Sequence, residues 1–460
     1  MTLAALDFSF ASIRRAMAQG IAAPLIIAEA CRRAQACADD GVFTLLVDRE
    51  VAVARARELQ ARADAGAELP LLGLPFSVKD SIHVAGLPTT CNCPAMRLEP
   101  TDSAHAVTLL EAAGAVLIGK NTLDQFATGL NGTRSPDPLC RNAIDPAYIP
   151  GGSSSGSAVA VAREIVAFSL GTDTGGSGRV PAACNGIVGL KPTIGLVSSR
   201  GLVYNNRSFD CIPVFCKFAD DAYEILENIA GFDVLDPLSR TDADAIELRP
   251  RAPQPLTIAI PRADQLTFFG DEAAARAYEA DLAVLQSLGH RLKPVDFTVF
   301  ETAGRLVFQS AMVAERLIDC ADVVRDHPEA IHPAVWRALQ PGLGYTARDA
   351  FRALYQIKQA QREASLLLAG CDAMVVPTVP TIFTIDQMLA DPMALNSAMG
   401  TYTYFVNPLD MCAVAIPGQT RADGLRSSLC FVGRAGDDAL LRTLALGFER
   451  ATTPALAVAS

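Results

Sequence analysis

The stretch GGSSSGSAVAVAREIVAFSLGTDTGGSGRVPAACNGIVGLKPT, residues 151–193, concentrates serines and glycines on both sides of one apolar segment. The triplet Gly-Gly-Ser occurs twice in it, at 151–153 and at 175–177. Glycines leave the neighbouring backbone N–H groups unhindered, and a serine beside them can present its hydroxyl to a ligand. The stretch therefore predicts a serine nucleophile with backbone donors for an oxyanion.

The second triplet lies between a predicted strand, 166–170, and Pro181, which suits the first turn of a helix. A glycine-rich turn from strand to helix exposes successive N–H groups that can hold an anion. That anion could be a bound phosphate or the transient oxyanion of acyl transfer. Phosphate is disfavoured because no Gly-Lys-Ser/Thr ending follows and no acidic ribose ligand stands at the usual distance.

Residues 152–156 also match G-x-S-x-G, the nucleophile elbow of α/β-hydrolases, with Ser154 in the nucleophile position. That motif requires a strand directly before it, whereas residues 145–150 read DPAYIP, a loop broken by prolines. The five histidines are typical of ordinary surface or core positions, so a general base must come from elsewhere. Lys79 ends an apolar strand predicted over 71–80, and burial would lower its affinity for a proton. A lysine exposed at a strand end is the alternative interpretation.

Composition excludes several classes of function. The formal net charge is −11 over 460 residues and no cluster of Lys and Arg offsets it, which argues against nucleic acid as a partner. No apolar run reaches the roughly 18 residues needed to cross a bilayer, and the N-terminus has no basic segment. A cytoplasmic protein that does not bind membranes is expected. The twelve cysteines are scattered without a C-x-x-C pair, so they are expected to be buried hydrophobes, with no metal and no cofactor.

The alternation of helical and strand patterns predicts an α/β layered fold. The predicted strands and helices follow one another without a linker or an internal repeat, so one domain is expected over 1–460. Its parts are N-terminal helices over 1–65, a core over 66–235, a variable helical region over 236–370, and return strands with a C-terminal helix over 371–460. The predicted helices beyond the core are 271–290, 298–325, 347–370 and 437–451, and the predicted strands are 256–261, 372–378 and 428–433.

Lys79, the turn at 151–156, the segment 171–179 and GIVGLKPT at 186–193 together closely resemble the amidase signature family. The resemblance is strong over 70–220 and looser over 370–435. It implies a mixed β-sheet sandwiched between helices in an α/β/α arrangement. It also implies a Ser–cis-Ser–Lys triad, in which Ser177 is the nucleophile, Ser153 relays the proton and Lys79 is the base. The oxyanion hole that the resemblance implies consists of the backbone N–H groups of Thr174, Gly175, Gly176 and Ser177.

Within that family the chain is most similar to the amidase domains of allophanate hydrolases, notably in DQFATGL at 124–130 and GTRSP at 132–136. This similarity implies that Arg316 binds a substrate carboxylate, for which its planar fork is suited. It also implies that Gly129 lines the amide pocket and that Ser154 supports the site by hydrogen bonding. Phe308 stands where the relatives carry a substrate-binding tyrosine, so one hydroxyl donor is missing.

The implied function is the release of ammonia from a small carboxylate-bearing amide of the urea type, allophanate or a close relative. The alternatives are an amidotransferase A-type subunit, or an amidase that works with a partner chain on a carboxylated biuret or a ureido acid. A third interpretation is a non-catalytic scaffold. A homodimer, and a helper or downstream enzyme chain, are the protein partners that the resemblance suggests.

Overall fold

A computed structural model describes residues 3–136 and 138–453 of the chain. Its centre is one mixed sheet of 11 strands. The strands are β1 (Phe43–Leu46), β2 (Pro75–Lys79), β3 (Val116–Asn121), β4 (Phe168–Leu170), β5 (Val188–Lys191), β6 (Val214–Cys216), β7 (Thr257–Pro261), β8 (Arg291–Val295), β9 (Ala373–Pro377), β10 (Met411–Thr420) and β11 (Arg426–Arg434).

The strand order across the sheet is β1-β3-β2-β4-β6-β5-β10-β11-β9-β7-β8. Strand β2 runs parallel to both of its neighbours, β3 and β4, whereas β5, β6, β10 and β11 pair in antiparallel fashion. Because β2 and β4 are parallel neighbours, their carboxyl ends lie at the same edge of the sheet. That edge is where open α/β sheets bind their ligands.

Helices cover both faces of this sheet. In β10, Val414 packs in an apolar cluster with residues of two helices, α7 (Ala219–Ile229) and α15 (Asp438–Thr452). Its neighbour Ala413 packs in another cluster with residues of α9 (Thr298–Phe308) and α12 (Ala347–Leu367). The α-helices in the described residues are α1 (Phe10–Ala18), α2 (Ala23–Ala36), α3 (Arg49–Asp64), α4 (His105–Ala112), α5 (Ser155–Ala162), α6 (Val180–Cys184), α7 (Ala219–Ile229), α8 (Glu272–Ser287), α9 (Thr298–Phe308), α10 (Ala321–Asp326), α11 (Pro333–Leu339), α12 (Ala347–Leu367), α13 (Ile385–Ala390), α14 (Ala394–Met399) and α15 (Asp438–Thr452).

The predicted α/β class with helices on both faces of a mixed sheet is confirmed, and one helix prediction is wrong. The single helix expected over 298–325 is divided into α9, a 3-10 helix over Ala311–Leu317, and α10. Ser310 interrupts it, since its backbone is extended and its hydroxyl accepts a hydrogen bond from the N–H of Met312 at 3.3 Å. A serine side chain that binds nearby backbone competes with the helical hydrogen bonds in this way.

The segment 381–407, which shows few regular signals in the sequence, contains α13 and α14. The start of α13 does carry one signal that is visible in the sequence. Thr384 and Gln387 form a capping box, in which the side chain of each residue accepts from the backbone N–H of the other. Strands β1, β5, β6, β8 and β10 are also absent from the predictions.

All twelve cysteines are buried and unpaired, as expected of small hydrophobic residues. In the described part of the chain, no helix is both long enough and apolar enough to cross a bilayer. The same residues include no cluster of three or more histidine, cysteine or acidic side chains that could hold a metal ion.

We expect the variant Phe168→Ala to lower the free energy of unfolding by about 3–5 kcal/mol, because the cavity left in the core cannot fully close. Phe168 is fully buried in β4, with its ring stacked on Phe76 at 5.3 Å and edge-on to Phe10 at 6.0 Å. Denaturant unfolding measures the change. The control is Phe351→Ala, because Phe351 is 58% exposed and its loss should change stability by no more than about 0.5 kcal/mol. Equal effects of the two substitutions would contradict the assignment of β4 to the core.

Candidate active site

The parallel pairing of β2 with β4 places Lys79 beside the chain that leaves β4. Val78 is in register with Leu170, so Lys79, the last residue of β2, lies level with the residues that follow Leu170. Its ammonium nitrogen Nζ donates to Oγ1 of Thr172 at 2.7 Å. The same nitrogen donates to Oγ of Ser153, also at 2.7 Å. Lys79 and Ser153 are thus joined directly by a hydrogen bond.

Burial changes the acidity of this lysine. Lys79 has no exposed surface, and burial lowers its pKa to about 7, although the negative charges of Asp210 and Asp124 act in the opposite direction. Both hydrogen-bond partners of Nζ are hydroxyls, and no carboxylate is within ion-pairing distance of it among the described residues. A substantial fraction of Lys79 is therefore neutral near pH 7 and able to accept a proton.

The first serine turn is held in place by Asp124. The peptide bond between Gly152 and Ser153 is cis, and the N–H of Asp124 donates to the carbonyl of Ser153 at 3.0 Å. The Asp124 carboxylate accepts from the backbone N–H groups of Asn131, Gly132 and Arg134 at 2.9–3.2 Å. A Cβ on Gly152 would lie 2.1 Å from Oδ2 of Asp124, so only glycine fits at that position.

The second serine turn joins β4 to α6 and is fixed by a buried ion pair. Asp173 and Arg179 are both fully buried and form two hydrogen bonds of 3.0 Å. Burial on its own raises the pKa of Asp173, but the charge and hydrogen bonds of Arg179 outweigh it and hold the pKa below its ordinary value. Pro181 lies in the first turn of α6, as predicted.

The same carboxylate changes which backbone groups can bind an oxyanion. The N–H of Gly176 donates to Oδ1 of Asp173 at 2.8 Å, and so it is already engaged. The prediction that Gly176 donates to an oxyanion therefore conflicts with this structure. No acceptor within the described residues is paired with the N–H groups of Thr174, Gly175 or Ser177, which are available to a ligand.

The two serine turns are packed against each other. The hydroxyl of Ser154 donates to the carbonyl of Thr172 at 3.2 Å, and a Cβ on Gly151 would lie 2.7 Å from Cα of Pro181. Ser154 is fully buried and does not line the cavity, so the hydrogen bond expected of it joins the two turns and does not reach a ligand in the cavity. Ser177 does line the cavity, and no hydrogen bond joins it to Ser153 in the described residues.

A cavity of about 260 Å³ opens in front of Ser177. Three of the predicted substrate-binding residues line it: Gly129, Phe308 and Arg316. No histidine is among its described lining residues. Further lining residues, for which no role in the site was predicted, are Arg134, Asn396 and Tyr404. Arg134 falls within the quoted motif GTRSP, which could have drawn attention to it, whereas Asn396 and Tyr404 belong to a segment with little periodic pattern.

Arg316 is positioned to bind an anion in this cavity. Its Nε donates to Oδ1 of Asn206 at 2.8 Å and its guanidinium lies 4.6 Å from the centre of the Phe308 ring. Its Nη2 is buried without a hydrogen-bond partner. Burial lowers the pKa of Arg316 to about 10, so the side chain remains charged at neutral pH. A buried, charged N–H group without an acceptor costs free energy, and an anionic ligand that accepts its hydrogen bond would remove that cost.

Asp210 connects this arginine to the nucleophile turn. Its carboxylate accepts from the hydroxyl of Thr174 and from the backbone N–H groups of Asn205 and Asn206. Asn206 in turn holds Arg316. Burial raises the pKa of Asp210 to about 6, so it is mostly ionised at neutral pH. The position of the cationic group is thus set relative to the nucleophile turn through two intervening residues, Asn206 and Asp210.

Comparisons with known proteins give the family of the chain and several of its relatives. Residues 26–441 match the model of the Amidase family. The urea amidolyase of Lachancea kluyveri is 36% identical over 90% of this chain, and the chain spans only 23% of that protein's length. The structure of Kluyveromyces lactis allophanate hydrolase has a TM-score of 0.84 at 37% identity, covering 90% of this chain and 68% of that one. The A subunit of the glutamyl-tRNA(Gln) amidotransferase of Geobacillus stearothermophilus is 34% identical over 89% of each chain.

We expect Asp173→Asn to lower the free energy of unfolding by about 3–5 kcal/mol, because it leaves the charge of Arg179 buried without a counter-ion. Denaturant unfolding again provides the measurement. The control is Glu99→Gln, which removes an ion pair with Arg97 whose side chains are both 60% exposed. That change should cost less than about 1 kcal/mol. A stability of Asp173→Asn equal to that of the wild type would mean that the ion pair does not hold the turn.

Proposed function

The chain belongs to the amidase signature family, and on this premise we propose that it is a serine amidohydrolase that releases ammonia from a small carboxylate-bearing amide of the urea type, allophanate or a close relative. The observation that carries the proposal is the cavity itself, in which a serine on a turn with free N–H groups faces a buried arginine with an unpaired Nη2. The similarity to urea amidolyase and to allophanate hydrolase supports the same substrate class.

In the first half of the reaction, Oγ of Ser177 attacks the amide carbonyl carbon. Its proton passes to Ser153, whose own proton passes to the neutral amine of Lys79. The carbonyl oxygen becomes an oxyanion, which the N–H groups of Thr174, Gly175 and Ser177 stabilise. The protonated Lys79 then returns the proton through Ser153 to the leaving nitrogen, the C–N bond breaks, and ammonia departs.

In the second half, water attacks the acyl-enzyme and gives up its proton along the same route to Lys79. The bond between the acyl carbon and Oγ of Ser177 breaks, and the proton returns through Ser153 to restore the serine. This relay requires the hydroxyl of Ser177 to come within hydrogen-bonding distance of Ser153 during the reaction. Catalytic hydrogen bonds commonly tighten in this way once substrate is bound.

A second candidate is the glutaminase activity of an amidotransferase A-type subunit, favoured by the similarity to such subunits over nearly their whole length. Glutamine would bring an ammonium group that needs a carboxylate. The described residues that line the cavity include the cations Arg134, Arg316 and Arg337 but no acidic side chain. The urea-type acid fits this charge better. A carboxylated biuret or a ureido acid presents the same amide and carboxylate groups.

The proposal also includes a protein partner, either a helper or downstream enzyme chain or a second copy of this chain, because the relatives include multidomain and multisubunit proteins.

We expect Ser177→Ala and Ser153→Ala each to lower kcat for ammonia release by at least about 10⁴-fold, because each removes a member of one catalytic unit. The assay measures ammonia from allophanate, biuret, carboxylated biuret, malonamate and glutamine. The matched control is Ser155→Ala. Ser155 is two residues from Ser153 in the chain, and its hydroxyl is buried without a hydrogen-bond partner. It should retain activity within a few-fold. Full activity of Ser177→Ala would contradict the assignment of Ser177 as the nucleophile. A preference of the wild type for glutamine as substrate would favour the amidotransferase alternative.

We also expect kcat/KM to rise with pH through about pH 7, because only the neutral form of Lys79 accepts the proton. Its burial lowers the pKa, so the active form accumulates above that value, and the rate should fall about tenfold per unit below it. Protonation of Asp210, with its pKa near 6, should steepen the fall in more acidic solution. The test is the pH profile of kcat/KM for the wild type, measured with a substrate whose charge does not change over this pH range. A flat profile between about pH 5 and pH 9 would rule out Lys79 as the base.

A further inference from the structure

The side chain of Tyr404, an aromatic ring that carries a hydroxyl, belongs to the lining of the cavity in front of Ser177. Its ring packs on Phe308, with 4.1 Å between the ring centres. Both rings lie directly against the nucleophile turn: a Cβ on Gly175 would stand 2.6 Å from Phe308 and 3.0 Å from Cδ1 of Tyr404. Gly400 is equally close, since a Cβ there would be 2.1 Å from the tyrosine ring. The ring of Tyr404 is therefore held in one position by its neighbours.

The hydroxyl of Tyr404 lacks a good partner in the protein. It donates to the carbonyl of Asn396 at 3.4 Å and accepts from the amide of the same residue at 3.5 Å. Hydroxyl hydrogen bonds are usually about 2.7–2.8 Å long, so both contacts are at the outer limit of bonding. The hydroxyl keeps its capacity to donate to a ligand. Burial raises the pKa of Tyr404 to about 12, so the proton is present at neutral pH.

The surroundings of the hydroxyl are cationic. The positive charges of Arg134 and Arg316 are close enough to act on the phenol and to favour its ionised form. Arg316 also lies over the ring of Phe308, the residue on which Tyr404 packs. The side chain of Phe308 itself has no polar group to offer a ligand. Arg316 and Tyr404 are thus the charged group and the hydroxyl that flank this phenylalanine.

We propose that Tyr404 is a specificity-determining residue, whose hydroxyl donates a hydrogen bond to the substrate carboxylate that Arg316 binds. The inference rests on the proposed function, since it needs a carboxylate-bearing amide in the cavity. The orientation of the Tyr404 ring supports this role. The Cδ1 side lies against Gly175 beside the nucleophile, and the hydroxyl at the opposite end reaches toward Asn396. Asn396, Tyr404 and Ser177 line the same cavity, so a carboxylate at the hydroxyl and an amide at the nucleophile can belong to one small substrate.

The experiment measures binding of malonamate, an amide that carries a carboxylate, by calorimetry to the Ser177→Ala protein, which cannot hydrolyse it. Adding Tyr404→Phe should raise Kd about tenfold, the loss expected for one hydrogen bond to a charged group. The ring remains, so packing on Phe308 and Gly175 is kept, and the thermal midpoint should be unchanged. The matched control is Tyr402→Phe, because the Tyr402 hydroxyl is bonded to the backbone of Thr267 and lies outside the cavity. It should leave Kd within twofold.

A Kd for Tyr404→Phe within twofold of that of the Ser177→Ala parent would overturn the role of Tyr404 while leaving the proposed function standing. No binding of malonamate by the parent, together with no ammonia release from carboxylated amides by the wild type, would overturn the proposed function and the inference with it.

Discussion

The buried ion pair between Asp173 and Arg179 is the interaction on which the site depends. Its carboxylate accepts from the backbone of the nucleophile turn at Gly176 and Gly178, and its guanidinium donates to the carbonyl of Thr403 at 3.1 Å. Arg179 also donates to Asn407, whose amide returns a hydrogen bond to the carbonyl of Asp173. One pair of opposite charges therefore shapes the turn that carries Ser177 and ties it to the segment that carries Tyr404.

Comparison of the buried lysines explains why Lys79 is suited to be a base. Lys79, Lys120 and Lys191 all have no exposed surface. Lys120 forms an ion pair with Asp80 at 2.7 Å, and Lys191 donates to the carbonyls of Pro192 and Met411. Lys79 has hydroxyl partners instead. A hydroxyl stabilises a buried ammonium less than a carboxylate does, so desolvation dominates and the neutral amine becomes accessible.

The reaction and the choice of substrate depend on different parts of the fold. The proposed relay is built at the carboxyl ends of β2 and β4, where rigid strands and tight turns hold Lys79, Ser153 and Ser177. The proposed carboxylate site is built from a 3-10 helix and from the segment before β10, which contribute Arg316 and Tyr404. Relatives with other substrates can share the first part and differ in the second, because the two parts come from separate stretches of chain.

The resemblance to the amidase signature family supplied the roles of the proposed triad. The sequence by itself determined the fold class and the two serine turns. These depend on local patterns: glycines that permit a tight turn, a proline at the start of a helix, and an apolar strand that ends in lysine. Only the tertiary structure decided that the N–H of Gly176 is engaged by Asp173, that Ser154 joins the turns instead of facing the cavity, and that Tyr404 faces it. Each of these depends on contacts between residues far apart in the chain or on the direction of one side chain. Such contacts are set by packing across the whole sheet, which local periodicity does not encode.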